Sequence, residues 1–177
     1  VEAIRQAVAR GQKVLACAPS NLAVDNLLER LVRAGEKVIR LGHPARVLPE
    51  LQEHTLDLLV DAHPDVSLAR RLTREANALQ DRSSRYTRAK PLPGAKHAMR
   101  QEARALLADA QRIEDQLVEH LLDSAAVVCC TLTGIDSRIL SDRQFDLAVI
   151  DEAAQAVEPA CWIPLLRADR LVLAGDH

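Results

Sequence analysis

Asp151 and Glu152 stand side by side directly after Leu147-Ala148-Val149-Ile150, an apolar run too short for a helix and β-branched enough for a strand buried on both faces. An open α/β sheet places its chemistry at the carboxyl ends of its strands. Two carboxylates delivered there can divide the work of activating water: Asp151 reads as a metal-side carboxylate and Glu152 as the base that takes the proton. The pair also has a plainer reading, because acidic side chains favour the positive end of a helix and so often begin one.

Pro19-Ser20-Asn21 has two readings of the same kind. Ser20 or Asn21 can cap the helix that follows; equally, a hydroxyl and an amide beside a helix N-terminus are neutral donors for a phosphate. Arg40, His43 and Arg46 could add positive charge nearby, or be solvated loop residues. Between Arg82 and Arg104 seven basic residues, Arg82, Arg85, Arg88, Lys90, Lys96, Arg100 and Arg104, stand against one acid, Glu102. That run reads either as solvated surface or as a phosphate-contacting arm whose affinity falls with salt. Cys17, Cys129, Cys130 and Cys161 form no Cys-x-x-Cys pair and three lie in apolar runs, so reduced core thiols are expected. They imply a reducing compartment, the cytoplasm, and also the nucleus if the source is a eukaryote. The histidines, at positions 43, 54, 63, 97, 120 and 177, show no metal-ligand spacing and are expected on the surface or in loops.

The elements that must position these residues alternate strand and helix. Val1 to Arg10 has helical spacing and stops at Gly11. Lys13 to Ala18 reads as a strand, and Leu22, Val24, Leu27, Leu28, Leu31 and Val32 as the apolar face of a helix ending near Gly35. Lys37 to Leu41 is a second strand, so this stretch is a parallel crossover unit. Ser67 to Gln80 and Gln101 to Leu122 carry helical spacing, for example Leu106, Leu107, Ile113, Leu117 and Leu121, on either side of Pro91-Leu92-Pro93-Gly94. They predict an inserted hairpin of two long antiparallel helices. Ala125 to Cys130, Phe145 to Ile150 and Arg170 to Ala174 supply further strands, with a short helix after Glu152 that Pro159 and Pro164 interrupt or end. The expected fold class is α/β with a parallel sheet. Its polar loops, Pro19-Ser20-Asn21, Thr131 to Gly134, Asp151-Glu152 and Gly175-Asp176, should converge on one edge.

With 177 residues, 48% of them apolar and 27% charged, the chain suits one globular domain with an elaboration. A net charge of −2 gives no global sign of nucleic-acid binding, so any basic surface must be local. No apolar run approaches a membrane span. Helical spacing from Val1 without an initiator Met, and a last strand that runs out at His177, read as an excerpt from a longer protein.

Four ordered motifs, Ala18-Pro19-Ser20-Asn21-Leu22-Ala23-Val24-Asp25-Asn26-Leu27, Cys130-Thr131-Leu132-Thr133-Gly134, Asp151-Glu152-Ala153-Ala154-Gln155 and Ala174-Gly175-Asp176-His177, resemble the first RecA-like domain of superfamily 1B helicases. Arg40 to Arg46 and Cys161-Trp162-Ile163-Pro164-Leu165 are similar to the nonsense-decay and immunoglobulin-mu-binding-protein subgroup. The resemblance implies a P-loop NTPase that couples ATP hydrolysis to translocation along a single strand and duplex unwinding. It implies that Asp151 binds Mg²⁺, that Glu152 deprotonates the attacking water and that Gln155 couples nucleotide state to the strand site. Gly175 and Asp176 would join Asp151 on the nucleotide side. Pro19, Ser20, Asn21, Thr131, Thr133 and Gly134 would contact single-stranded DNA or RNA, and a second RecA-like domain of the same parent would be the partner across the cleft. The domain expectation is a first RecA-like part at 1–55, an inserted helical hairpin at 56–123 and a second part at 124–177, cut within the third motif. The family's glycine-rich phosphate loop and the glutamine after Gly175-Asp176 are absent from this sequence, so the 177-residue chain alone is expected to show no ATPase activity. A non-catalytic nucleic-acid or protein-binding module and a P-loop ATPase without a nucleic-acid partner are the other readings.

Overall fold

Val14-Leu15-Ala16-Cys17-Ala18 has no polar residue to turn towards water, and in the computed structural model it forms the central strand β1 (Val14–Ala18), buried along its whole length. The structure describes residues 1–84, 94–135 and 137–176. β1 lies between β3 (Val127–Thr131) and β4 (Leu147–Ile150). β2 (Val38–Arg40) pairs with β3 and β5 (Leu171–Leu173) with β4, giving the order β2-β3-β1-β4-β5 with every pair parallel. The chain is thus α/β with a five-stranded parallel sheet of the partial RecA-like kind.

The register matches apolar residues across the sheet: Val14 faces Val127 and Leu147, and Ala16 faces Cys129 and Val149. Helix α1 (Glu2–Ala9) buries Ile4 and Ala7 against β1. Helix α2 (Asn21–Arg33) lays Val24, Leu27, Leu28 and Leu31 over β1, β2 and β3. Each such side chain fully buried contributes about 1.5–3 kcal/mol, so tertiary burial rather than local propensity holds the three-residue β2 in place. The strands are trimmed relative to the sequence reading because flanking polar groups leave the ladder. Lys13 bends its Nζ to the carbonyl oxygens of Asp123 and Ala125, at 2.7 and 2.6 Å, while its backbone nitrogen donates to Asp146 Oδ2 at 2.7 Å.

After β4 comes a tight 3-10 turn (Ala153–Gln155) and then α7 (Glu158–Leu165). Of the two prolines expected to interrupt or end this helix, Pro159 does neither, sitting in the first turn where no amide donor is needed, while Pro164 lies one residue before the helix ends. Helix α7 packs on β4 and on the turn Leu132–Gly134.

The chain divides into two compact units, one made by Val1–Leu59 and His120–His177 and the other by Val60–Glu119. Helix α3 (Leu56–Ala62) leads into it, and it contains α4 (Pro64–Ser84) and most of α5 (Ala95–Ser124). Both long helices extend past the stretches that apolar spacing marks out. Pro64 opens α4 at a position that needs no donor, and His63 Nδ1 accepts from the Asp65 amide at 3.3 Å. Ala69, Ala76 and Ser83 on α4, and Ala103, Ala110 and Leu117 on α5, are buried at seven-residue intervals, the repeat of a coiled-coil seam. Small residues take the seam positions, and Leu106, Leu107 and Ile113 flank them half-buried instead of forming the centre. Of the basic run, Arg82, Lys96, Arg100 and Arg104 lie on these helices; Arg85, Arg88, Lys90, the Pro91-Leu92-Pro93 part of the turn, and His177 lie outside the described residues. A short helix, α6 (Ser137–Leu140), precedes β4. Among the described residues no helix is long and apolar enough to cross a membrane.

Candidate functional site

Parallel strands end on the same side, so the sheet itself gathers the polar loops. Ala18 pairs with Thr131, Cys17 with Ile150, and Ile150 with Leu173. The next residues outward, Pro19, Leu132, Asp151 and Ala174, therefore stand on one edge across four neighbouring strands. At the usual strand spacing that edge is about 14 Å wide.

On one side of it, the Asp151 amide donates to the Cys17 carbonyl oxygen at 2.8 Å, which ties the end of β4 to β1. One carboxylate oxygen of Asp151 accepts from the Glu152 amide at 3.2 Å. Glu152 then turns into the left-handed region, φ 54° and ψ 39°, a conformation uncommon outside glycine that recurs at functional turns. Glu152 stands at the N-cap position of the 3-10 turn, but its side chain makes no cap bond. Instead Glu152 Oε2 accepts from Gln155 Nε2 at 3.0 Å. The Ala153 amide donates to the Ala174 carbonyl oxygen at 2.8 Å, and Gly175 passes so close that a Cβ there would stand 2.9 Å from the Ala153 nitrogen. The structure thus brings Asp151, Glu152, Gln155 and Gly175 together. Asp176 follows them, exposed.

On the other side of the edge, Ser20 caps α2, its Oγ accepting from the Ala23 amide at 3.1 Å. Asn21 is half-buried and its Oδ1 accepts from Arg40 Nη2 at 2.9 Å. Thr131 ends β3, and Gly134 lies so close that a Cβ there would collide with Thr131 Oγ1. Pro19 is half-buried, while Thr133 and Gly134 are exposed. The expectation that Arg40 adds exposed positive charge is corrected: its side chain is 1% exposed and ion-paired to Asp25, because β2 delivers it into the interior. His43 and Arg46 are exposed on the following loop.

Asp151 is half-buried and, among the described residues, no basic side chain neutralises it or Glu152. A lone hard-oxygen carboxylate at a strand end, with one oxygen uncommitted, suits a cation that takes one or two protein carboxylates and fills its remaining positions with phosphate and water. A hydrogen bond shared with Cys130 Sγ, 3.5 Å away, and then burial hold the Cys17 thiol pKa well above its ordinary value, and desolvation raises that of Cys129. These thiols are structural wall beneath the edge, not nucleophiles.

Sequence reading missed the Asp25–Arg40 pair and the two close glycine contacts. Asp25 did leave a signal, since it falls on the α2 face shared by Val24, Leu28 and Leu31, where a charge needs an internal partner. The glycine contacts left none, because they arise between loops far apart in sequence.

The family described as "AAA domain" matches residues 1–177. The chain is 38% identical over 177 residues to the DNA polymerase alpha-associated DNA helicase A of Schizosaccharomyces pombe, covering all of this chain and 26% of that protein. It is 39% identical over 181 residues to the DNA-binding protein SMUBP-2 of Rattus norvegicus, covering all of this chain and 18% of the relative. It is 35% identical over 170 residues to the ATP-dependent helicase upf1 of Schizosaccharomyces pombe, covering 93% of this chain and 16% of the relative. The chain therefore spans about a quarter or less of the length of these relatives. With Pro19, Leu132, Asp151 and Ala174 in line on one edge of a parallel sheet and a family match over its whole length, the chain belongs to the AAA domain family and is similar to superfamily 1B helicases, the nonsense-decay type among them.

Proposed function

We propose that this chain is the part of an ATP-driven helicase that holds the water-activating carboxylates and one wall of the single-strand track. The carrying observation is the left-handed Glu152, which no cap bond employs and whose carboxylate Gln155 holds at 3.0 Å, on the edge that also carries Ser20, Asn21 and Thr131. Asp151 would ligate Mg²⁺, which when bound with ATP neutralises phosphate charge. Glu152 Oε1, left free by Gln155, would accept the proton of the attacking water. Because Gln155 shares a turn with Glu152, a strand pressing on this edge can alter the orientation of the base, which is how coupling would reach the chemistry. Gly175 and Asp176 would flank the nucleotide, with a second RecA-like domain of the same protein closing the far side. Single-stranded DNA or RNA would run past Ser20, Asn21, Thr131 and Thr133, held through its backbone by neutral donors.

The test is Glu152→Gln in the full-length protein, which removes the base and leaves the Asp151 ligand. Strand-stimulated ATP hydrolysis should fall by about 10²- to 10⁴-fold while ATP binding, read with a fluorescent ATP analogue, persists. Hydrolysis equal to the wild type would overturn the assignment of Glu152.

A further inference from the structure

Among the described residues the buried charged side chains are Arg40 and Asp25, 1% and 3% exposed and paired with each other. Burying two opposite charges seldom stabilises a fold more than two apolar residues of similar size would, so the pair calls for a use beyond packing. Its hydrogen bonds supply one. Arg40 Nε donates to Asp25 Oδ1 at 3.3 Å, Nη1 donates to the Leu41 carbonyl oxygen, and Nη2 donates to Asn21 Oδ1 at 2.9 Å. The second carboxylate oxygen of Asp25 accepts from the Leu48 amide at 3.0 Å, so the carboxylate cannot swing away. Gly42 lines the other side, where a Cβ would stand 3.4 Å from Arg40 Nη1.

A guanidinium can only donate, so it decides which end of the Asn21 amide it meets. The oxygen is drawn inward and the nitrogen is turned outward. That nitrogen is not among the buried unsatisfied atoms and takes no described protein acceptor, so it is open to solvent. Ser20 beside it is committed in the same sense: its Oγ accepts from Ala23, which leaves the hydroxyl proton free to point out. We propose that Arg40, locked by Asp25, is a positioning residue that fixes Asn21 as a hydrogen-bond donor, so that the Ser20-Asn21 turn selects acceptor-only phosphodiester oxygens. This rests on the proposal that a strand runs along this edge, and it adds the element that sets the polarity of the contact.

The experiment is fluorescence anisotropy of a labelled 20-nucleotide oligo(dT) with the full-length protein, alongside thermal melting. Asn21→Asp keeps an oxygen for Arg40 and replaces the outward donor with an acceptor. It should leave the melting temperature unchanged or higher and raise Kd about tenfold or more. Arg40→Lys keeps the charge beside Asp25 but cannot reach Asp25 and Asn21 together, and should raise Kd about threefold in the wild-type background and not at all in the Asn21→Asp background. A merely structural Arg40 would lower the melting temperature and add its Kd effect equally in both backgrounds, which would overturn the proposal. The double variant Ser20→Ala/Thr131→Val separates the two levels. If it binds like the wild type, no strand runs along this edge and both readings fail; if it weakens binding while Asn21→Asp does not, only the positioning role of Arg40 fails.

Discussion

Gly175→Ala tests whether the acid pair is held by contact between loops. The native φ of +155° is one that L side chains rarely adopt, and the added methyl would stand 2.9 Å from the Ala153 nitrogen and 3.3 Å from the Glu152 Cα and carbonyl carbon. Ordinary contact begins at 3.4 Å, so the Glu152–Ala153 backbone or the Gly175 segment must retreat by about 0.5 Å. The backbone strain is worth about 1–3 kcal/mol and overpacking a similar amount. Gly175 is exposed and can relax outward, so much of this strain should be released as movement, leaving a net destabilisation of about 1–2 kcal/mol. The movement falls on Glu152, whose side chain has Gln155 as its holding contact. Catalytic groups tolerate about 0.5 Å of displacement, and 1 Å can cost about 100-fold in rate. In the full-length protein, kcat for strand-stimulated ATP hydrolysis should therefore drop about 10- to 100-fold with only a modest fall in melting temperature. Kd for a single-stranded oligonucleotide should not change, because Ser20 and Thr131 are carried by other strands. An unchanged kcat would refute the close-contact reasoning, and a matching loss of strand binding would show that the whole edge had collapsed.

Gly134→Ala places a methyl against Thr131 Oγ1 and forces that β-branched side chain to rotate, so strand affinity should weaken about three- to tenfold with kcat at saturating strand preserved; unaltered affinity would remove Thr131 from the contact set. Ser20→Ala removes the α2 cap and should cost about 1 kcal/mol in a denaturant titration, a loss that Ser20→Thr should largely restore. Cys129 is fully buried and its pKa is raised, so the unfolded chain releases its proton first: stability holds below the ordinary value of 9.0 and declines above it. Cys129→Ala should then reduce the alkaline slope of unfolding free energy by about 1.4 kcal/mol per pH unit, and an identical slope would contradict the assignment. With a thiol reagent at pH 8, native protein should expose the half-buried Cys161 first and release Cys17, Cys129 and Cys130 only on unfolding.

The sheet was legible because its strands are uninterrupted apolar runs, and such runs need burial on both faces: Val14–Ala18 and Leu147–Ile150 form within a residue or two of where composition puts them. The convergence of Ser20, Thr131 and Asp151 on one edge followed from parallel topology alone. Three features were not legible, for physical reasons. Arg40 ends a three-residue strand, where facing inward or outward depends on a partner fifteen positions back in sequence. The prolines of α7 carry no mark of whether they open a helix or break one until its start is known. The buried positions that recur along α4 and α5 are mostly alanine, which hydrophobic spacing weighs lightly.

The order of strands in space has a consequence for how the chain is made. Cys17 must find Cys130, 113 residues later, and Lys13 must find Asp146, 133 residues later, before the middle of the sheet can close. At about 5–20 residues per second, a ribosome leaves the apolar Val14–Ala18 segment without lateral partners for on the order of ten seconds. During that interval the helical segment between them can already collapse on its own seam. The most deeply enclosed strand of the finished molecule is therefore the one a nascent-chain chaperone would have longest to hold.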